Sequence, residues 1–175
     1  MKTNIALIGF MGSGKTAVAA VLSQRLQRQL IETDTLIVRK AGKSIPAIFQ
    51  DDGEIRFREL EIAAVKQAVA GERRVIACGG GVVLNTINID RLKKNGIVVN
   101  LTASSAIILK RTSAEKTGRP LLAGQPKEHI LELIKFRKPF YERAADFTVS
   151  TSRLTIDTVA GIIIDRLKNY EGFDL

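Results

Sequence analysis

Short apolar runs alternate along the chain with longer stretches in which apolar residues recur every three or four positions. The runs Asn4 to Ile8, Leu30 to Asp34, Arg74 to Cys78, Ile97 to Leu101 and Phe147 to Ser150 predict strands. Between them Thr16 to Gln29, Glu54 to Ala70, Thr86 to Lys94, Ser105 to Thr112, Lys127 to Arg143 and Ile156 to Tyr170 carry helical spacing. Strands alternating with helices of this length predict a parallel sheet with crossover helices, an α/β fold. Ser113 to Pro126 holds two prolines, two glycines and no sustained period, so an exposed, mobile loop is expected there. With no internal repeat or low-complexity tract, residues 1–175 read as one domain.

Composition narrows the class. A chain of 175 residues, 45% hydrophobic, can bury about 70% of its unfolded surface in one core. No apolar run reaches the roughly 18 residues of a membrane span. The single cysteine, Cys78, excludes an internal disulfide and a multi-cysteine zinc site. Met1 to Asn4 leads into Ile5-Ala6-Leu7-Ile8 without a basic leader or cleavage site, which predicts a cytoplasmic protein. The net charge of +9 would suit a nucleic-acid binder, but five of those charges fall between Lys110 and Arg143. The nine aromatic residues form no base-stacking platform beside them, so a small anionic ligand accounts for the charge equally well.

Gly9-Phe10-Met11-Gly12-Ser13-Gly14-Lys15-Thr16 fits G-x-x-x-x-G-K-[ST] and sits between an apolar strand and an amphipathic helix. Such a loop turns successive backbone N–H groups toward a β-phosphate, with the helix dipole behind them. Lys15 would bridge the β- and γ-phosphates and Thr16 would offer a hydroxyl to Mg²⁺. Gly12, Ser13, Gly14, Lys15, Thr16 and Ala17 are therefore the expected nucleotide contacts. A second metal ligand should be an acid at the carboxyl end of a strand, and only Leu30-Ile31-Glu32-Thr33-Asp34 supplies one. In an extended strand Glu32 and Asp34 would project to the same side, one for the metal and one for the acceptor hydroxyl. A solvated strand end capping the next helix is the alternative.

Arg58 and Glu61 lie three apart on a predicted helix and can pair, leaving the guanidinium oriented to read a carboxylate. On the residues alone a surface ion pair is the simpler reading. Arg137 precedes Pro139, which should end or kink its helix, and a solvated cation is as good a reading as a ligand contact. Gly79-Gly80-Gly81 after a strand suggests a close backbone approach to a ligand, or else a tight strand-to-helix turn. Cys78 reads as a small buried residue, and His129, the only histidine, as a surface residue on a charged helix, so no histidine relay is expected.

Together these motifs resemble those of the shikimate kinases, small P-loop kinases with the nucleoside monophosphate kinase fold. The resemblance runs from about Asn4 to Ser150. It is carried by the phosphate loop, Thr33-Asp34, Gly53-Glu54 with Phe57-Arg58 and Glu61, Gly79-Gly80-Gly81, Gly118-Arg119-Pro120-Leu121-Leu122, and Arg137 with Pro139 and Tyr141. It implies a three-layer αβα fold with a five-stranded parallel sheet of order 2-3-1-4-5, a substrate-binding region near residues 34–61 and a lid near 113–126. The implied reaction moves the γ-phosphate of ATP, with Mg²⁺, to the 3-hydroxyl of shikimate, a step toward the aromatic amino acids. By the resemblance Asp34 would orient or deprotonate the attacking hydroxyl. Arg58, Arg137 and the Gly80 backbone, flanked by Gly79 and Gly81, would hold shikimate, the arginines chiefly at its carboxylate, and Phe49 and Phe57 would line the ring pocket. Arg119 would reach the ATP phosphates, Arg111 resembles the adenine-side arginine, and Arg153 is a further candidate there. Glu32 stands where the family commonly has Asp and, with Thr16, is the candidate metal pair. Another small-molecule kinase of this fold, for gluconate or a nucleoside monophosphate, is the alternative. A monomer without nucleic-acid or membrane partners is expected.

Overall fold

The computed structural model describes residues 1–114 and 127–175. Five strands, β1 (Asn4–Ile8), β2 (Gln29–Glu32), β3 (Arg74–Ala77), β4 (Gly96–Thr102) and β5 (Phe147–Ser150), form one parallel sheet in the order β2-β3-β1-β4-β5. The central strand β1 is buried at every position, as a strand covered on both faces must be. Its side chains alternate between two cores. Ile5 and Leu7 pack against α1 (Lys15–Leu26) and α8 (Ile156–Lys168) through Val18, Leu22, Val159 and Ile163. Ala6 and Ile8 face α4 (Gly53–Ala68), α5 (Thr86–Asn95), α6 (Ser105–Ala114) and α7 (Lys127–Ala144) through Val65, Leu92, Ile108 and Tyr141. The result is helix, sheet, helix: the three-layer αβα fold.

Two short helices that the periodicity does not predict follow β2. They are α2 (Thr33–Ala41) and α3 (Ile45–Asp51), at nine and seven residues too short to be stable alone. A third core holds them: Ile37 and Ile48 meet Phe57, Leu60 and Ala64 of α4. Gly42 ends α2 with φ 70°, and the Ser44 hydroxyl caps α3 by accepting the Ala47 N–H. This cluster fixes the chain beside the carboxyl ends of the strands.

Three expectations are corrected. β2 stops at Glu32, and Asp34 lies in the first turn of α2, so the two acids do not share a strand face. Pro139 does not end its helix, because α7 runs on to Ala144. Pro139 and Lys135 are both exposed, so the carbonyl that the proline ring leaves without a helical donor lies on the solvent side. Ser113 and Ala114 complete α6 rather than begin a loop, and the rest of the expected lid, 115–126 with Arg119, lies outside the described residues. Among the described residues no helix is long and apolar enough to cross a membrane.

Candidate active site

A cavity of about 590 Å³ opens at the carboxyl ends of β1, β2 and β3, where parallel sheets place their ligands. The phosphate loop forms one wall. Gly12 and Gly14 adopt φ values of 78° and 93°, which only glycine takes without strain, and Gly14 occupies the N-cap of α1 without a side-chain cap. The first N–H groups of α1 are thereby left to an anion. Lys15 Nζ donates to the carbonyls of Gly9 (2.8 Å) and Phe10 (3.0 Å), which curls its ammonium over the loop. Gly12, Gly14, Lys15, Thr16 and Ala17 all line the cavity. Ser13 does not. It is fully buried, its N–H is committed to Phe10 and its carbonyl accepts the Thr151 hydroxyl, so it is part of the loop's frame.

Both acids line the cavity although they do not share a strand. The turn from β2 into α2 is latched by Thr33, whose buried Oγ1 accepts the Gly79 N–H at 2.9 Å. Glu32 accepts the Thr35 hydroxyl at 3.4 Å. Asp34 lies against Gly79, in space that any larger residue would fill.

Opposite stand Arg58 and Arg137. The Arg58 guanidinium is held by Glu54 (2.9 Å) and by both oxygens of Glu61 (3.3 and 3.2 Å). The Arg58–Glu61 pair is not a surface pair: the Glu61 side chain is 1% exposed. Burial pushes its carboxyl up to about 7; the Arg58 cation opposes that rise and the Asp34 charge adds to it. Arg137 is not a solvated cation either, being 3% exposed with its guanidinium over the Phe10 ring. Its Nε has no partner among the described residues. The triple glycine closes this side. A Cβ on Gly81 would collide with the Arg58 guanidinium, and one on Gly80 would lie 3.8 Å from Arg137 Nη1. Val82–Leu84 then makes one tight helical turn, so the glycines form a turn that passes close to the Arg58 guanidinium. Phe49 and Phe57 stack at 4.6 Å beside Arg58.

At the other end Arg111 donates to the carbonyl of Gly12 (2.9 Å) and to Thr151, setting a planar cation at the cavity edge. Arg153 is exposed and outside the cavity, and Leu154 and Ile156 supply apolar surface there instead. Cys78 is buried, which pushes its thiol up to about 12, and His129 is exposed. Among the described residues no cluster of three metal-ligating side chains exists. The oxygen donors on the cavity wall include the Thr16 hydroxyl, next to Lys15 of the phosphate loop, and the Glu32 and Asp34 carboxylates. That sparse set fits Mg²⁺, which keeps several waters and takes phosphate oxygens with one or two protein ligands.

The shikimate kinase family model matches residues 11–168. The chain belongs to the shikimate kinase family. A shikimate kinase of Caldanaerobacter subterraneus subsp. tengcongensis is 47% identical over 162 residues, covering 92% of this chain and 94% of the relative. One of Pelotomaculum thermopropionicum is 41% identical over 167 residues, covering 95% and 96%. The solved shikimate kinase from Acinetobacter baumannii in complex with shikimate superposes with a TM-score of 0.92 at 34% identity, covering 98% of this chain and 96% of that one. Within this family frame, three residues stand in the sequence motifs but have roles that only the structure gives. They are Thr33, which latches the turn, Glu61, which is buried, and Tyr141, whose buried hydroxyl donates to the Gly80 carbonyl. A signal for Tyr141 existed: it lies four residues after Arg137, on the same helix face.

Proposed function

We propose that the chain transfers the γ-phosphate of ATP to the 3-hydroxyl of shikimate, using residues 34–61 as the acceptor region. One observation carries this reading. A phosphate loop, a carboxylate and two anchored guanidiniums line a single cavity. The loop receives the nucleotide phosphates, and Lys15 follows the charge that builds on them as the phosphoryl group moves. Arg111, with Leu154 and Ile156, takes the base. Arg58 and Arg137 hold the carboxylate of shikimate bidentately, and Phe49 and Phe57 bound its ring.

Held from both ends, the acceptor presents a hydroxyl to Asp34, which orients it and accepts its proton. Positioning of this kind supplies much of the acceleration in phosphoryl transfer. Thr16 and Glu32 are the residues that would hold Mg²⁺, which when bound neutralises phosphate charge. A coupled assay comparing shikimate, gluconate and nucleoside monophosphates as acceptors tests the reading. Shikimate should have the highest kcat/KM, and a better gluconate or monophosphate acceptor would overturn it.

A further inference from the structure

The triple glycine carries two donors that nothing in the described chain uses. The N–H groups of Gly80 and Gly81 have no hydrogen-bond partner among the described residues, whereas the Gly79 N–H is committed to Thr33. The carbonyl of Gly80 has one partner there, the Tyr141 hydroxyl. That carbonyl and the Gly81 N–H belong to the same peptide unit, which is trans and planar. Fixing the carbonyl toward Tyr141 therefore turns the Gly81 N–H the opposite way. Gly80 and Gly81 line the cavity, a Cβ on Gly81 would run into the Arg58 guanidinium, and one on Gly80 would lie 3.8 Å from Arg137 Nη1. The peptide thus spans the gap between the two cations. A peptide between two glycines has little rotational preference of its own, so its direction depends on its partner.

We infer that Tyr141 is a positioning residue: its hydroxyl aims the Gly80–Gly81 peptide so that the Gly81 N–H donates to the substrate carboxylate beside Arg58 and Arg137. The inference rests on the proposed carboxylate site. The phenol suits the task, because it is 5% exposed and burial pushes its ionisation up to about 12 against the opposing pull of the neighbouring Arg137 guanidinium, which keeps the proton it must donate. Tyr141 also shares α7 with Arg137, so one rigid element sets a guanidinium and a backbone donor together.

Tyr141→Phe keeps the ring and removes only the hydroxyl. It should raise KM for shikimate about tenfold, with kcat and KM for ATP changed far less. With an analogue whose carboxylate is replaced by hydroxymethyl, wild type and variant should have similar KM. Three results overturn the inference: an unchanged shikimate KM, an equal loss toward both acceptors, or a loss shared with ATP that follows a fall in Tm, which would mark a merely structural role. If the wild type itself does not prefer shikimate to the hydroxymethyl analogue, the carboxylate site is wrong and the inference falls with it. The wild type gives a check that needs no variant. With ¹⁵N-labelled glycine, shikimate should shift the Gly81 amide and slow its hydrogen exchange, and a Gly81 amide indifferent to saturating shikimate would refute the assignment.

Discussion

Asp34 and Gly79 are fitted to one another: a Cβ on Gly79 would stand 2.6 Å from Asp34 Oδ1. The backbone of Gly79 is not in the left-handed region, so alanine there strains nothing locally and acts only by displacing the carboxylate. Gly79→Ala should therefore lower kcat in the direction of Asp34→Asn, with ATP binding little changed. Loss of a base or orienting group costs about 10² to 10⁴ in rate. Steady-state kinetics decide it. Near-normal kcat in Asp34→Asn would remove the acid from the mechanism, and near-normal kcat in Gly79→Ala alone would show that Asp34 has room to move.

Arg58 and Arg137 approach the glycine turn from different helices, α4 and α7, so each should matter separately to the acceptor. Arg58→Ala and Arg137→Ala should each raise KM for shikimate by at least about tenfold while KM for ATP stays close to normal. Lysine should restore little, because it cannot form the bidentate fork. Gly81→Ala should mimic Arg58→Ala by pushing the guanidinium aside. Isothermal titration with shikimate reads all of these, and normal affinity in both arginine variants would refute the carboxylate site.

Glu61 gives the protein a pH dependence whose sign follows from burial. Its carboxyl is raised from 4.5 to about 7 on folding. Below 4.5 both folded and unfolded states hold the proton, while between 4.5 and 7 the folded state alone holds it. Stability from this group is thus fully present at low pH and is lost as pH rises toward 7, by on the order of 3 kcal/mol at most. Glu61→Gln cannot titrate, so the wild-type minus variant difference in unfolding free energy should fall across that interval. A difference that is flat with pH would mean that Arg58 holds Glu61 ionised throughout.

How much of this was legible in the sequence depends on the range of the interactions involved. β1 and β5 have the bounds their apolar runs predict, because strand burial leaves a local pattern. The phosphate loop is equally local, since its glycines, lysine and threonine are consecutive. By contrast α2 and α3 owe their stability to Phe57, Leu60 and Ala64 of a later helix, and their own stretches are too short for a clear period. Arg58 and Glu61 look like a surface pair because spacing gives the pairing but not the burial. Glu61 is buried where α4 meets the glycine turn, a contact made by residues far apart in the chain. A motif names neighbours in sequence and not which of them face the cavity: Ser13 is enclosed in the loop's frame, and Arg153 stands outside the cavity wall.

Glu32, the second acid of the turn from β2 into α2, has a test of its own. It ends β2, lines the cavity and accepts from Thr35, so its longer side chain is partly tethered. A carboxylate that shares Mg²⁺ with Thr16 and the phosphates should matter most when the metal is scarce. Glu32→Gln keeps the shape and the Thr35 hydrogen bond but removes the charge, so it should raise the Mg²⁺ concentration at half-maximal rate several-fold, by about 1 kcal/mol or more. KM for shikimate should change little, since Arg58, Arg137 and the glycine turn are untouched. Glu32→Asp keeps the charge on a shorter stem and should fall between wild type and Gln if reach matters. Titrating Mg²⁺ at fixed ATP for the three proteins separates the cases. Identical curves would show that Glu32 serves only to shape the turn into α2.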